Sequence, residues 1–232
     1  YGERWGRHWL DVVRYADTAG ETADYPVPLA WRYRNYVIDA FNSDKPYDQF
    51  LREQIAGDVL ANQQHSENYA EQVIATGYLA ISRRFGFDSE NYHHLTIQDT
   101  IDTLGQSVLG LTLGCARCHD HPFDDWKQTD FFGMAAFFAR LQIAEVGKKD
   151  NLTMYAVGEK NSGDVLFTGP AKDQQPGKKG DPIKPKFLHG DVLEEPALPE
   201  GYKEPKVEGN KLPPKPDLSR KEKLVEWITK PD

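Results

Sequence analysis

The stretch Gly114-Cys115-Ala116-Arg117-Cys118-His119-Asp120-His121-Pro122-Phe123-Asp124 constrains this chain more than any other, because it contains both of its cysteines. Its core, C-x-x-C-H, is the attachment signature of a c-type haem. The two thiols add across the porphyrin vinyl groups as thioethers, and the imidazole that follows sits under the iron as proximal ligand. Two cysteines and seven histidines fall into this order by chance on the order of once in several thousand arrangements. Cys115, Cys118 and His119 are therefore the first candidate site.

Three other chemistries compete for the same residues. Structural zinc could take Cys115, Cys118 and one of His119 or His121, but it needs a fourth ligand from elsewhere. No second C-x-x-C or H-x-H pair supplies one. A redox C-x-x-C calls for a βαβ context that the flanking sequence does not suggest. A disulfide across two residues closes too short a loop to stabilise much.

Composition narrows the field further. With 39% hydrophobic and 12% aromatic residues, the 232-residue chain has enough apolar surface to enclose a flat ligand. A net charge of −8 argues against nucleic acid, whose phosphates attract basic surfaces. No apolar run approaches the ~20 residues needed to cross a bilayer. Neither end carries a signal peptide, and both read as the interior of a longer chain.

Apolar spacing then places a series of helices. Trp5, His8, Trp9, Val12 and Ala16 share one face of a first helix over Glu3 to Ala16. A broken stretch, Asp17 to Pro28, leads to a second helix over Leu29 to Asn42, with Tyr33, Val37, Ala40 and Phe41 on its inner side. Pro46 opens a third through Asp58, and Ser66 caps a fourth carrying Tyr69, Val73, Gly77 and Ala80. Arg83 to Leu95 reads as a loop with surface histidines His93 and His94, and His65 lies in a solvated polar break. Thr96, through a Thr96-x-x-Asp99 capping box, opens a regular helix along Ile97, Ile101, Leu104, Val108 and Leu111, which Gly114 ends. Gly105 and Gly110 inside it suggest a close backbone approach, to a macrocycle or a packed helix. A further helix over Thr129 to Leu141 aligns Phe131, Met134, Ala135 and Phe138 on one face.

From Gly147 the composition turns to proline, lysine and glycine, with short strand-like runs at Asp164–Phe167 and Lys186–Leu188. Ala171 to Lys184 has too little apolar surface to order itself. An amphipathic helix closes the chain. The expected fold is mainly α: residues 1–146 a helical haem-binding domain, 147–216 an irregular and partly β section, and 217–232 a helix leading into a further domain.

Several residues are candidates for the rest of a haem site. His8, on the first helix, is the leading candidate for the distal iron ligand, and Met134 the second. His121 lies too near His119 to reach round the porphyrin, since two residues span at most about 7 Å. It fits better as a group bonding a propionate or the backbone. Arg32 could pair with propionates, and Arg14, Arg32 or His8 could line an open distal pocket.

The segments Glu3–Asp11, Arg14–Asp17, Trp31–Arg34, Pro46–Phe50 and Gly110–Asp124, in that order, resemble the planctomycete cytochrome-like family, a domain of unknown function (DUF1549, PSCyt2 type). The resemblance covers about Tyr1 to Leu141 and resumes weakly at Pro185–Leu188 and Ser219–Asp232; Gly147–Pro216 departs from it. It implies an exported haem-binding or electron-transfer role inside a multidomain protein, and no substrate. Attachment chemistry agrees, because haem c is joined to its protein outside the cytoplasmic membrane. The expected function is single-electron transfer, through one covalent haem c, to a redox partner protein or neighbouring domain of an exported, periplasmic chain. A peroxidase- or oxygenase-type haem enzyme with an open sixth position is one alternative. A zinc-stabilised structural or binding module is the other.

Overall fold

In the computed structural model, which describes residues 1–20, 24–63, 67–82, 89–149, 152–168, 179–208 and 211–231, the chain begins with helix α1 (Gly2–Val12). The buried side of α1 is not the tryptophan face. Gly2 and Gly6 turn inward against α2 (Trp31–Asn42), while Trp5, His8 and Val12 face solvent. The reason is distance: a methyl on Gly2 would meet Asn42 Cγ at 2.7 Å. Only a side without Cβ atoms lets the two backbones approach so closely. Trp9 remains inside, where its indole N–H lies 3.0 Å from Tyr33 Oη and 3.1 Å from Gln54 Oε1.

Pro46 stands at the N-cap of α3 (Tyr47–Asn62), where its missing N–H costs nothing. The short helices α4 (Tyr69–Ala75) and α5 (Gly77–Ala80) pack on α3. The expected cap at Ser66, together with His65 and the glycine at 86, lies outside the described residues. Helix α6 (Ser89–Leu104) starts well before Thr96, which is an interior residue whose carbonyl accepts from the Thr100 hydroxyl. The expected loop is thus helical from Ser89. His93 is half-buried there and bonds the Ala139 backbone, and burial lowers its pKa from the ordinary value. Ile97, Ile101 and Leu104 form the expected buried stripe.

A π-turn (Gly105–Leu109) continues α6, and Gly110 stops it with a left-handed φ of +66°. Gly114, the expected stop, instead lies inside a 3₁₀ turn (Leu113–Arg117). The close approach expected at Gly105 is to the chain's own backbone at Leu111 O.

Helix α7 (Gln128–Phe138) is buried all round rather than along one face: every residue from Asp130 to Phe138 is interior. It is the central rod of the core. The antiparallel hairpin of β1 (Leu141–Lys149) and β2 (Leu152–Glu159), which periodicity did not announce, follows directly, so the 146/147 boundary falls within β1. Strand β3 (Val165–Thr168) pairs with β4 (Lys179–Ile183), and Lys186 makes only an isolated bridge to Val192. Most of the segment expected to lack order, 171–178, lies outside the described residues. Helix α8 (Arg220–Ile228), capped by the Ser219 hydroxyl, inserts fully buried Leu224 into the same core as α2, α3 and α7. Its Lys221 ammonium is buried against Asp58 of α3 at 2.7 Å. The fold is mainly α with small antiparallel sheets, as expected, and among the described residues no helix is long and apolar enough to cross a membrane.

Candidate haem-attachment site

The motif is carried on a surface turn clamped between α6 and α7. On the α6 side, the Arg117 guanidinium donates to Gln98. On the α7 side, the Gln128 amide donates to Arg117 O at 2.7 Å, and the backbone N–H of Gln128 donates to Asp120 Oδ1 at 2.9 Å. Asp120 thereby satisfies one of the free N–H groups that open α7. Below the turn, Leu113 and Ala116 are buried and serve as its apolar foot. Cys115 and Cys118 are both free thiols, exposed to solvent.

His119 is exposed beside them, and its Nδ1 lies 2.7 Å from the Asp120 carbonyl oxygen. A carbonyl only accepts, so Nδ1 is the donor in this bond, and Nε2 has no hydrogen-bond partner among the described residues. Iron- and zinc-binding imidazoles are prepared in this way, with the other ring nitrogen donating to a carbonyl. His121 is prepared for the opposite task. Its Nδ1 accepts from the backbone N–H of Phe123 (3.3 Å) and Asp124 (2.9 Å), and its Nε2 reaches Thr112 Oγ1 at 3.0 Å. Both nitrogens are occupied, so His121 folds the loop, in line with a backbone-bonding role.

Asp102 of α6 lies directly beneath the turn. A methyl on Gly114 would meet Asp102 Cγ at 2.8 Å, and the Asp102 Oδ1 atom is buried without a hydrogen-bond partner. Burial pushes its carboxyl above the ordinary range, against the attraction of Arg14 and Arg117. Sequence spacing carried no sign of this contact, which spans a helix end, a π-turn and a 3₁₀ turn. Asp120 and Gln128 were missed for a similar reason, since each acts through a bond that closes only when the loop folds.

The remaining candidates are distributed elsewhere. Arg14 closes α1 in a left-handed conformation (φ +56°) and reaches α6, pairing with Asp99 Oδ1 at 2.8 Å and donating to Asp99 O and Thr103. Arg32 lies over the Trp31 ring, 5.7 Å from its centroid, and lines two grooves that include no residue of the motif. His8 is exposed against Trp5, not on a buried face. Met134 is fully buried among the phenylalanines of α7. Among the described residues, no group of three or more His, Cys, Asp or Glu is gathered to hold a metal ion.

What fold and site define is a mainly helical domain that displays two free thiols and an outward imidazole on one clamped turn. The chain belongs to the PSCyt2 family, a protein family of unknown function (DUF1549), whose model matches residues 1–143. No curated protein and no solved structure matches it.

Proposed function

We propose that this domain carries one covalent haem c on Cys115 and Cys118, with His119 as proximal ligand, and passes single electrons to a partner protein or neighbouring domain. The observation behind the proposal is the state of the motif residues: His119 Nδ1 is engaged by the Asp120 carbonyl, its Nε2 has no partner among the described residues, and both cysteines are free and exposed. The donor set fits the group, with two nucleophilic sulfurs for the vinyls and a neutral nitrogen for iron. When bound, haem supplies a reversible one-electron couple. The protein's own part is to hold the thiols and imidazole on a turn anchored at Gln98 and Gln128. The reading carries export with it, since the thioethers form outside the cytoplasm.

The test is chemical. Produced through an export pathway with haem-attachment machinery, the chain should stay red through acid extraction and give thioether-type pyridine haemochrome bands. Cys115→Ser or Cys118→Ser should sharply reduce the colour that survives extraction. A colourless chain holding one equivalent of zinc refutes the proposal.

One observation favours a second reading, a peroxidase- or oxygenase-type site. Met134 is held fully buried in the core, and His8 faces solvent beside Trp5. A haem left without a distal side chain would be open to small ligands. High-spin spectra with rapid cyanide and peroxide binding would select this reading over electron transfer.

A further inference from the structure

Two grooves on the face built from α2 and α4 meet at Arg32 and Ile74, which line both. The first, about 360 Å³, follows α2 from Trp31 to Ser43. The second, about 420 Å³, lies between residues 16–19 and 25–30, α4–α5 and the β1–β2 hairpin. These two adjoining grooves, the trough, contain no residue of the haem motif.

Four of the eight exposed aromatic residues among the described ones line these grooves. Trp31 is 43% exposed in the first groove, and Tyr25, Tyr69 and Tyr155 are 42%, 47% and 59% exposed in the second. Each such ring still leaves roughly half of its surface open, in a residue type whose burial dominates interface energetics. Four of them along two adjoining grooves mark a surface that is covered in use.

The polar groups define what covers it. Arg32, Asn35 and Asp39 follow one another at i, i+3 and i+7 along the α2 face of the first groove. Arg32 only donates, Asp39 only accepts and Asn35 does both. A sugar hydroxyl also donates and accepts, and the C–H face of a pyranose ring is apolar enough to lie on an indole or phenol.

Other ligand classes fit worse. A lipid chain would bury Arg32, Asn35 and Asp39 with no hydrogen bonds in return. A phosphate or polyanion meets Asp39 and Glu71 in the first groove, and of the three cations that line the two grooves Lys211 is already paired with Glu208. The Lys45 ammonium is already engaged by Glu53 at 2.5 Å and Glu71 at 3.4 Å. We propose that the trough binds a neutral oligosaccharide, its sugar rings lying on Trp31 and the tyrosines and its hydroxyls bonded by Arg32, Asn35 and Asp39. The site is independent of the haem reading.

Titration calorimetry on the purified 232-residue chain tests this with four neutral hexasaccharides as probes: β-1,4-linked glucose, mannose, xylose and N-acetylglucosamine. At least one should bind saturably. Trp31→Ala and Tyr69→Ala should each weaken that binding at least tenfold, about 1.4 kcal/mol. Tyr47→Ala removes a ring 57% exposed and outside both grooves, and should leave it unchanged. The three substituted side chains are surface groups, and circular dichroism checks that each variant is folded. The proposal is overturned if none of the four binds at about 10 mM, in the range of weak single-site affinities. It is equally overturned if binding survives both groove substitutions, or if the trough takes extended peptides in place of sugars.

Discussion

Replacing Gly114 by alanine tests how the motif turn is seated. The new methyl would stand 2.8 Å from Asp102 Cγ, where ordinary van der Waals contact is 3.4–4 Å, and would overlap Oδ1 more deeply. Either Asp102 leaves its rotamer, at about 0.5–1.5 kcal/mol, or the turn moves, and overpacking of this kind costs about 1–3 kcal/mol. Asp102→Ala alone should be close to neutral. It removes an unpartnered buried oxygen, which costs about 1–3 kcal/mol to bury, and offsets that gain with the lost attraction of Arg14 and Arg117. The double variant should then match Asp102→Ala, giving a coupling of about 1–3 kcal/mol in a double-mutant cycle. Urea denaturation measures the cycle, and haem per chain from pyridine haemochrome shows whether the displaced turn still presents its thiols. If Gly114→Ala falls within about 0.5 kcal/mol of the parent, the scale of an ordinary surface substitution, the overlap is not real. If Asp102→Ala fails to rescue it, the overlap is with something else.

The same cycle carries a pH signature. Burial raises the Asp102 carboxyl above its unfolded value of 3.8, so its contribution to stability is full below that value and is lost as pH rises through the folded one. Asp102→Ala should flatten the stability curve over that window. Glu195 runs the other way: burial pulls it upward, but bonds from Arg220 and Arg140 outweigh burial and hold it below 4.5. Its stabilisation is present above 4.5 and fades as pH falls through the depressed folded value, so Glu195→Gln should weaken the acid-side loss seen in urea titrations at stepped pH. Lys221→Met leaves the Asp58 carboxylate buried without its cation and should cost about 3–5 kcal/mol, whereas Lys221→Met with Asp58→Leu should recover most of it. In the haem-loaded protein, His8→Ala should leave the visible spectrum unchanged, because the ring faces solvent; a low-spin to high-spin change would restore His8 as sixth ligand.

Much of the helical order was legible because it rests on local spacing. Ile97, Ile101 and Leu104 had to share a face, Pro46 had to open a helix and the amphipathic closing stretch had to form another. Local spacing misled where two elements compete for the same surface. On α1 the spacing put Trp5, His8 and Val12 on the inner face with Trp9, yet of these only Trp9 turns inward and the glycines are buried, because without Cβ atoms the backbone can approach α2 closely. On α7 a single stripe was legible, but the helix has no solvent side once α6, β3–β4, Lys186 and α8 close around it.

The site divides in the same way. Bond chemistry is a property of residue type and separation, so Cys115, Cys118 and His119 stood out as one candidate donor set from the sequence alone. The state of that set did not. The tautomer of His119 depends on where the Asp120 carbonyl turns, and the engagement of His121 depends on Thr112, nine residues earlier. Asp102 meets Gly114 only because a π-turn and a 3₁₀ turn fold the chain back on α6. The two grooves need α2, α4 and the hairpin assembled before rings so far apart in the chain line them. The sequence by itself determines which atoms are available. Burial and hydrogen-bond closure, which join residues far apart in the chain, decide which of them remain free to react.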